Sequence, residues 1–185
     1  ENMVKKLDLG IAMSKFGQKQ IKEVHGIDVD YIPHCIDPHK TYYPFDAVTR
    51  NRLRKSVRLN GILNINNQPF LQPMQLDIND KFVVLCVARN QGRKNLDSNI
   101  DAFKLLVDAI KKNEENIKDA IYIMHYDPLD PATVFDHMFM LLEEGIHHKC
   151  FFTGMSWLKG FAIDQMNVLY NISDVMLLLT SGEGF

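Results

Sequence analysis

Phe82-Val83-Val84-Leu85-Cys86-Val87-Ala88-Arg89-Asn90-Gln91-Gly92-Arg93-Lys94-Asn95 sets the architecture of this chain. Its first seven residues form an unbroken apolar run, the pattern of a central parallel strand covered on both faces. A polar turn follows, and then Ile100, Phe103, Val107 and Ile110 recur at the three- and four-residue spacing of a helix. The alternation continues downstream. Ala120 to Met124 reads as a second strand, and Phe135, Met138 and Leu142 mark one side of a helix that Gly145 terminates. Cys150 to Thr153 reads as a third strand, and Ile163, Met166 and Tyr170 stripe a third helix. Val175 to Leu179 reads as a fourth, buried strand. The connections are too long for hairpins, so the expected fold is α/β with a doubly wound parallel sheet.

Upstream of residue 81 the pattern is less regular. Leu7 to Met13 is a short apolar run, and Ser14 suits the N-cap of a helix on which Phe16, Ile21 and Val24 share a side. Gly26 suits that helix's C-terminal cap, and Val29 to Ile32 reads as another strand. Pro33-His34-Cys35-Ile36-Asp37-Pro38 then ends regular structure, which places a domain boundary between residues 1–40 and 41–185. Asp46 to Leu59 looks helical and basic, with Arg50, Arg52, Arg54, Lys55 and Arg58 read as a solvated face. Residues 59–80, rich in Asn, Gln and Pro, show neither helical nor strand period and read as an irregular insertion.

The 185 residues carry a formal net charge of -2, so electrostatics give no case for nucleic acid or for a membrane surface. No apolar run approaches the ~18 residues of a membrane span, although peripheral membrane association stays open. Of three cysteines, Cys86 and Cys150 lie inside strand-like runs and read as reduced, packed thiols, which fits a cytoplasmic protein. The chain ends at Ser181-Gly182-Glu183-Gly184-Phe185, before the helix that such a loop normally opens. It reads as a fragment, inactive alone.

In this kind of sheet the strand-to-helix loops share one rim, where ligands bind. The first loop offers Arg89, Arg93 and Lys94 beside a helix start with Asn95 as its N-cap, an arrangement suited to an anion such as a diphosphate. Surface cations on a loop are the plainer reading. Glu183 on the fourth loop would repel phosphate but accept hydrogen bonds from sugar hydroxyls. His125 closes a strand and either faces a ligand or serves as a structural histidine. Met155 and Trp157 line a base pocket or simply pack. His147-His148 falls at the opposite end of the sheet, no His/Cys set has zinc spacing, and Asp28-Val29-Asp30 sits at the wrong end of a strand to hold a metal and diphosphate.

Four segments in order carry a family resemblance: Val87-Ala88-Arg89-Asn90 through Arg93-Lys94-Asn95-Leu96, Phe152-Thr153-Gly154, Leu169 to Val175, and Ser181 to Phe185. Together they resemble the carboxy-terminal domain of retaining GT-B glycosyltransferases of family four, and Ile32-Pro33-His34 with Ile36-Asp37 looks like that family's interdomain hinge. Cys35 stands where the family usually has glycine. The resemblance implies a Rossmann-like nucleotide-sugar-binding domain preceded by the end of a Rossmann-like acceptor-side domain. It also implies transfer with retention from a nucleotide-sugar donor to a glycan, lipid or protein acceptor, without a metal or other cofactor. On it, Arg89 and Lys94 would bind the donor diphosphate and stabilise it as leaving group. Glu183 would contact the donor sugar, and Gly184 and Phe185 would offer backbone N–H groups. A non-catalytic α/β module that binds a phosphorylated ligand or protein is the alternative from another class. A nucleotide-sugar epimerase is a third.

Overall fold

The computed structural model describes residues 8–64, 69–156 and 158–182. These divide into two compact units, one ending at Lys40 and one running from Thr41 to Gly182.

In the first unit, β1 (Ile11–Ala12) pairs in parallel with β2 (Asp30–Tyr31), and α1 (Lys15–His25) connects them. Ser14 caps α1 by accepting the Gly17 N–H at 3.0 Å, and Gly26 ends the helix in the left-handed conformation at φ 68°. Phe16 and Val24 do not mark a buried side: each is 67% exposed, and α1 has no buried residue within its unit. Cys35 is exposed and is not among the residues with positive φ, so this turn forms without the backbone freedom of a glycine.

The second unit is a six-stranded sheet in the order β4-β3-β7-β6-β5-β8. Its parallel core is β5 (Phe82–Val87), β6 (Ala120–His125), β7 (Cys150–Phe152) and β8 (Val175–Met176), all paired in parallel. Alternate residues of β5 serve opposite faces. Val84 and Cys86 join the cluster of Ile100, Phe103 and Val107 from α3 (Leu96–Lys111) and Leu141 from α4 (His137–Glu143). Val83 and Leu85 join Ile121, Ile123, Phe151 and, from α5 (Ile163–Ile172), Leu169 and Ile172. Both faces are therefore covered, which is why β5 reads as an unbroken apolar run. Each such buried Ile, Leu or Phe contributes about 1.5–3 kcal/mol.

Four expectations change in detail. Residues 59–80 are not an irregular insertion. β3 (Val57–Asn64) and β4 (Pro69–Leu76) form an antiparallel pair, and β3 also pairs antiparallel with β7. The sheet is therefore mixed rather than wholly parallel. The helix read over 46–59 is α2 (Ala47–Arg54), capped by Asp46, and Val57 to Leu59 already belong to β3. Phe135 lies before α4 and is 46% exposed, while on α5 the buried positions are Asn167, Leu169 and Ile172 rather than Ile163 or Tyr170. β8 is an edge strand of two residues with Val175 and Met176 exposed. Leu177 continues its contact by donating to the Leu85 carbonyl at 2.8 Å.

The basic face of α2 is only partly solvated. Arg52, Lys55 and Arg58 are exposed, but Arg54 is 3% exposed. Its guanidinium donates to the carbonyls of Ile78, Lys81 and Ile172 and to the Asp174 carboxylate. Arg50 also reaches Asp174, at 2.6 Å, together with the carbonyls of Asn171 and Ser173. Asp174 in turn accepts the Val83 N–H at 2.7 Å and returns its own N–H to the Val83 carbonyl. Partial burial pushes the Asp174 pKa up, but the Val83 amide, Arg50 and Arg54 outweigh it and hold the carboxyl below its ordinary 3.8.

Arg54→Ala is expected to destabilise the fold by about 3–5 kcal/mol, because it removes the buried donor to the carbonyls of Ile78, Lys81 and Ile172 and leaves Asp174 with Arg50 as its remaining cation among the described residues. A carboxyl whose pKa is depressed by folding contributes its full stability above its unfolded pKa of 3.8 and loses it as pH falls through the lower folded value. Denaturant melts of wild type and Asp174→Asn should therefore differ most above pH 4 and converge in strong acid.

Candidate functional site

Among the parallel strands, β6 and β7 lie on one side of β5 and β8 on the other. The strand order therefore reverses beside β5, and the carboxyl ends of β5 and β8 mark the switch point where ligands usually sit in an open α/β sheet. The two loops at this switch point are bonded to each other. The first, residues 88–95, contains one 3-10 turn at Gly92–Lys94 and reaches α3 through Asn95, which is left-handed at φ 45°. The Arg93 carbonyl accepts the Ser181 N–H at 2.9 Å and the Thr180 and Ser181 hydroxyls at 3.0 Å. The Arg93 guanidinium donates to the Gly182 carbonyl at 2.9 Å.

Asn95 occupies the N-cap position of α3, but its side chain does not cap the helix; it donates to the Leu179 carbonyl at 2.9 Å. Asn99, fully buried on α3, accepts the Leu179 N–H at 3.0 Å and donates to the Cys86 sulfur at 3.6 Å. The fourth loop is thus held by both polar groups of Leu179 and by the backbone of the first loop. Lys94 is half-buried on the same turn, and its charge is felt at Cys86. Burial pushes the Cys86 thiol up to about 11, with Lys94 as a small opposing influence. Cys86 and Cys150 are both buried free thiols, as their place in strands implied.

Arg89 is not simply an exposed loop cation. Its Nε donates to Asp130 Oδ2 at 2.9 Å and its Nη2 to Oδ1 at 3.4 Å. The Arg89 side chain is 57% exposed and that of Asp130 only 2%. The Arg89 hydrogen bonds and the Ala132 N–H hold the Asp130 carboxyl below its ordinary range. Asp130 belongs to the second loop, whose turns are set by Asp127 and Asp130 accepting the N–H groups of Leu129 and Ala132. Asn90, 2% exposed, donates to the Asp127 carbonyl at 3.4 Å and so ties the first loop to the second.

His125 ends β6 at 6% exposure, with Nδ1 2.8 Å from the Thr153 hydroxyl and its ring edge-on to Phe161 at 4.8 Å. Met155 is half-buried in the loop after β7, just past Gly154, whose φ of 75° suits glycine. The structure therefore brings Arg89 and Lys94 onto one loop, beside the loop that leads to Glu183. His125 closes β6, and Met155 follows β7. Trp157, Glu183, Gly184 and Phe185 lie outside the described residues. Among the described residues no three His, Cys, Asp or Glu side chains gather where they could hold a metal, and no helix is long and apolar enough to cross a membrane.

Two buried histidines make the fold sensitive to mild acid. Burial lowers the pKa of His125, and of His137 at 2% exposure, below 6.5. A histidine held neutral by folding costs nothing above pH 6.5 and opposes folding increasingly as pH drops below it. Melting temperature should fall between pH 7.5 and pH 5, and His125→Gln should flatten part of that fall in parallel melts.

No family model matches the chain, and no curated protein sequence does. Among solved structures it is similar to Anabaena Alr3699/HepE, determined in complex with UDP and glucose, with a TM-score of 0.61 at 16% identity. The match covers 94% of this chain and 38% of that one, so this chain spans well under half of that protein's length. At that identity the likeness is one of fold, and it agrees with the α/β, Rossmann-like architecture described above.

Proposed function

We propose that the chain is the nucleotide-sugar-binding part of a glycosyltransferase that acts with retention and without a metal. The carrying observation is the pair of bonded loops at the switch point between β5 and β8, one presenting Arg89 and Lys94 and the other leading into Glu183. A solved structure of similar fold held UDP and glucose, which supports a donor of that class.

In such a transfer the bond between the sugar's anomeric carbon and the diphosphate oxygen breaks. Its electron pair leaves with the diphosphate, and the acceptor oxygen forms the new bond as it loses its proton. The energetic task is to stabilise charge that develops on the departing diphosphate. Arg89 and Lys94 would do this, with hydrogen bonds to charged groups worth about 1.5–3 kcal/mol each. Glu183 would accept hydrogen bonds from the sugar hydroxyls, Gly184 and Phe185 would offer backbone N–H groups, and His125 and Met155 would border the donor. The acceptor is a glycan, lipid or protein.

The first test is ligand-induced thermal stabilisation. At a hundredfold excess over its dissociation constant a nucleoside diphosphate should add about 2.7 kcal/mol of stability. UDP, GDP and ADP are compared on wild type, Arg89→Ala and Lys94→Ala. One base should stabilise wild type, and each substitution should weaken it by roughly ten- to a hundredfold, one charged hydrogen bond's worth. Stabilisation untouched by both substitutions would remove the assignment. In the full-length enzyme, Glu183→Ala should abolish turnover while diphosphate binding persists; a module that only binds would show no turnover to lose.

A further inference from the structure

The donor reading uses Arg89 but leaves unexplained why a nearly fully buried carboxylate sits against it. Asp130 is 1% exposed, the most buried acid among the described residues, and it has only one cationic partner there. It takes one edge of the guanidinium, Nε and Nη2, at 2.9 and 3.4 Å. The opposite edge, with Nη1, has no partner among the described residues, and the side chain is 57% exposed. An arginine fork has two usable edges, and a carboxylate or a phosphate can each occupy one bidentately.

Asp130 is itself held firmly. Its Oδ1 accepts the Ala132 N–H at 2.8 Å, its N–H donates to the Asp127 carbonyl at 3.3 Å, and its carbonyl accepts the Thr133 N–H at 2.9 Å. Pro128 and Pro131 stiffen the same turn. Asp127, in turn, is bonded through its carbonyl to Asn90, the neighbour of Arg89. The second loop is thus a rigid mount, and through Asp130 it grips a guanidinium of the first loop.

We propose that Asp130 is a positioning residue that fixes Arg89 so that its free edge meets the donor diphosphate. The inference rests on the donor reading and adds a residue and a direction to it. Without Asp130, Arg89 would have to lose the rotamer freedom of a long exposed side chain on binding. Coulomb's law alone predicts the opposite sign: deleting a negative charge beside an anion site should tighten anion binding. The direction of the effect therefore separates positioning from simple field.

The test is a double-mutant cycle on the dissociation constants of UDP and inorganic pyrophosphate, read by calorimetry, with thermal melts to confirm folding. Asp130→Asn keeps the shape and the acceptor for Ala132 and should weaken both ligands about tenfold, roughly one charged hydrogen bond. In the Arg89→Ala background the same substitution should change nothing, because the residue through which it acts is gone. Affinity that is unchanged or tighter in Asp130→Asn, or a loss that persists in the Arg89→Ala background, overturns the proposal. If Asp130→Asn does not fold, Asp130→Glu keeps the charge but displaces the fork, and it should weaken binding similarly; unchanged affinity there overturns the proposal as well. Wild-type binding that is absent, or indifferent to Arg89→Ala, would instead remove the donor reading itself. A cycle that fails while Arg89→Ala still weakens binding would remove only the role of Asp130.

Discussion

Asp174 holds the larger unit together. It stands at the entry to the edge strand β8, exchanges backbone and side-chain bonds with Val83 of the adjacent β5, and receives two arginines from α2. A two-residue edge strand with exposed apolar side chains has little packing of its own to fix its register. The charged knot fixes it. A shift of one residue would pull the carboxylate away from the Val83 amide and from both guanidinium groups. Arg54 would then be left in the interior with carbonyls alone, an arrangement that costs several kcal/mol. The fourth loop can be placed beside the first because β8 is registered on β5.

From that register the ligand rim follows in steps. β8 lies next to β5, so the two loops meet; Leu179 is caught by Asn95 and Asn99, and the end of the fourth loop by the Arg93 backbone. Most of these contacts use main-chain atoms, so the arrangement depends more on the path of the backbone than on individual side chains. Arg89 and Asp130 bring the second loop into the same construction from its other side. Three loops that are far apart in sequence therefore behave as one surface.

The alternation of strands and helices from residue 81 onward was legible because β5 and β6 are covered on both faces and α3 has a single buried stripe. The β3–β4 hairpin was not. Its outward strand contains prolines, its inner strand carries Asn60 and Gly61, and β3 buries Leu59 and Ile62 on opposite faces, so no period-two pattern appears. Arg54 could not be recognised from a basic helix either, because its partners are carbonyls and an acid up to about 120 residues away. On the rim, Arg89, Arg93 and Lys94 were legible as cations of one loop because they lie within six residues of each other between β5 and α3. The restraint of Arg89 by Asp130 was missed, although the Asp127-Pro128-Leu129-Asp130-Pro131 run carries the marks of a side-chain-organised turn.

The hairpin also settles how the sheet ends. Among the described residues β4 is the outermost strand on its side, paired only with β3, and Pro73 stands exposed in its middle. A proline has no N–H to offer, so the outer margin of β4 is a poor template for a strand from another molecule. Without the hairpin, the outer margin of β7 would lie bare, with buried Cys150 and Phe151 beneath it. The segment that looked like filler thus works as a selvedge: it binds off the weave on that side, and it does so with the residues that hid it from a pattern search.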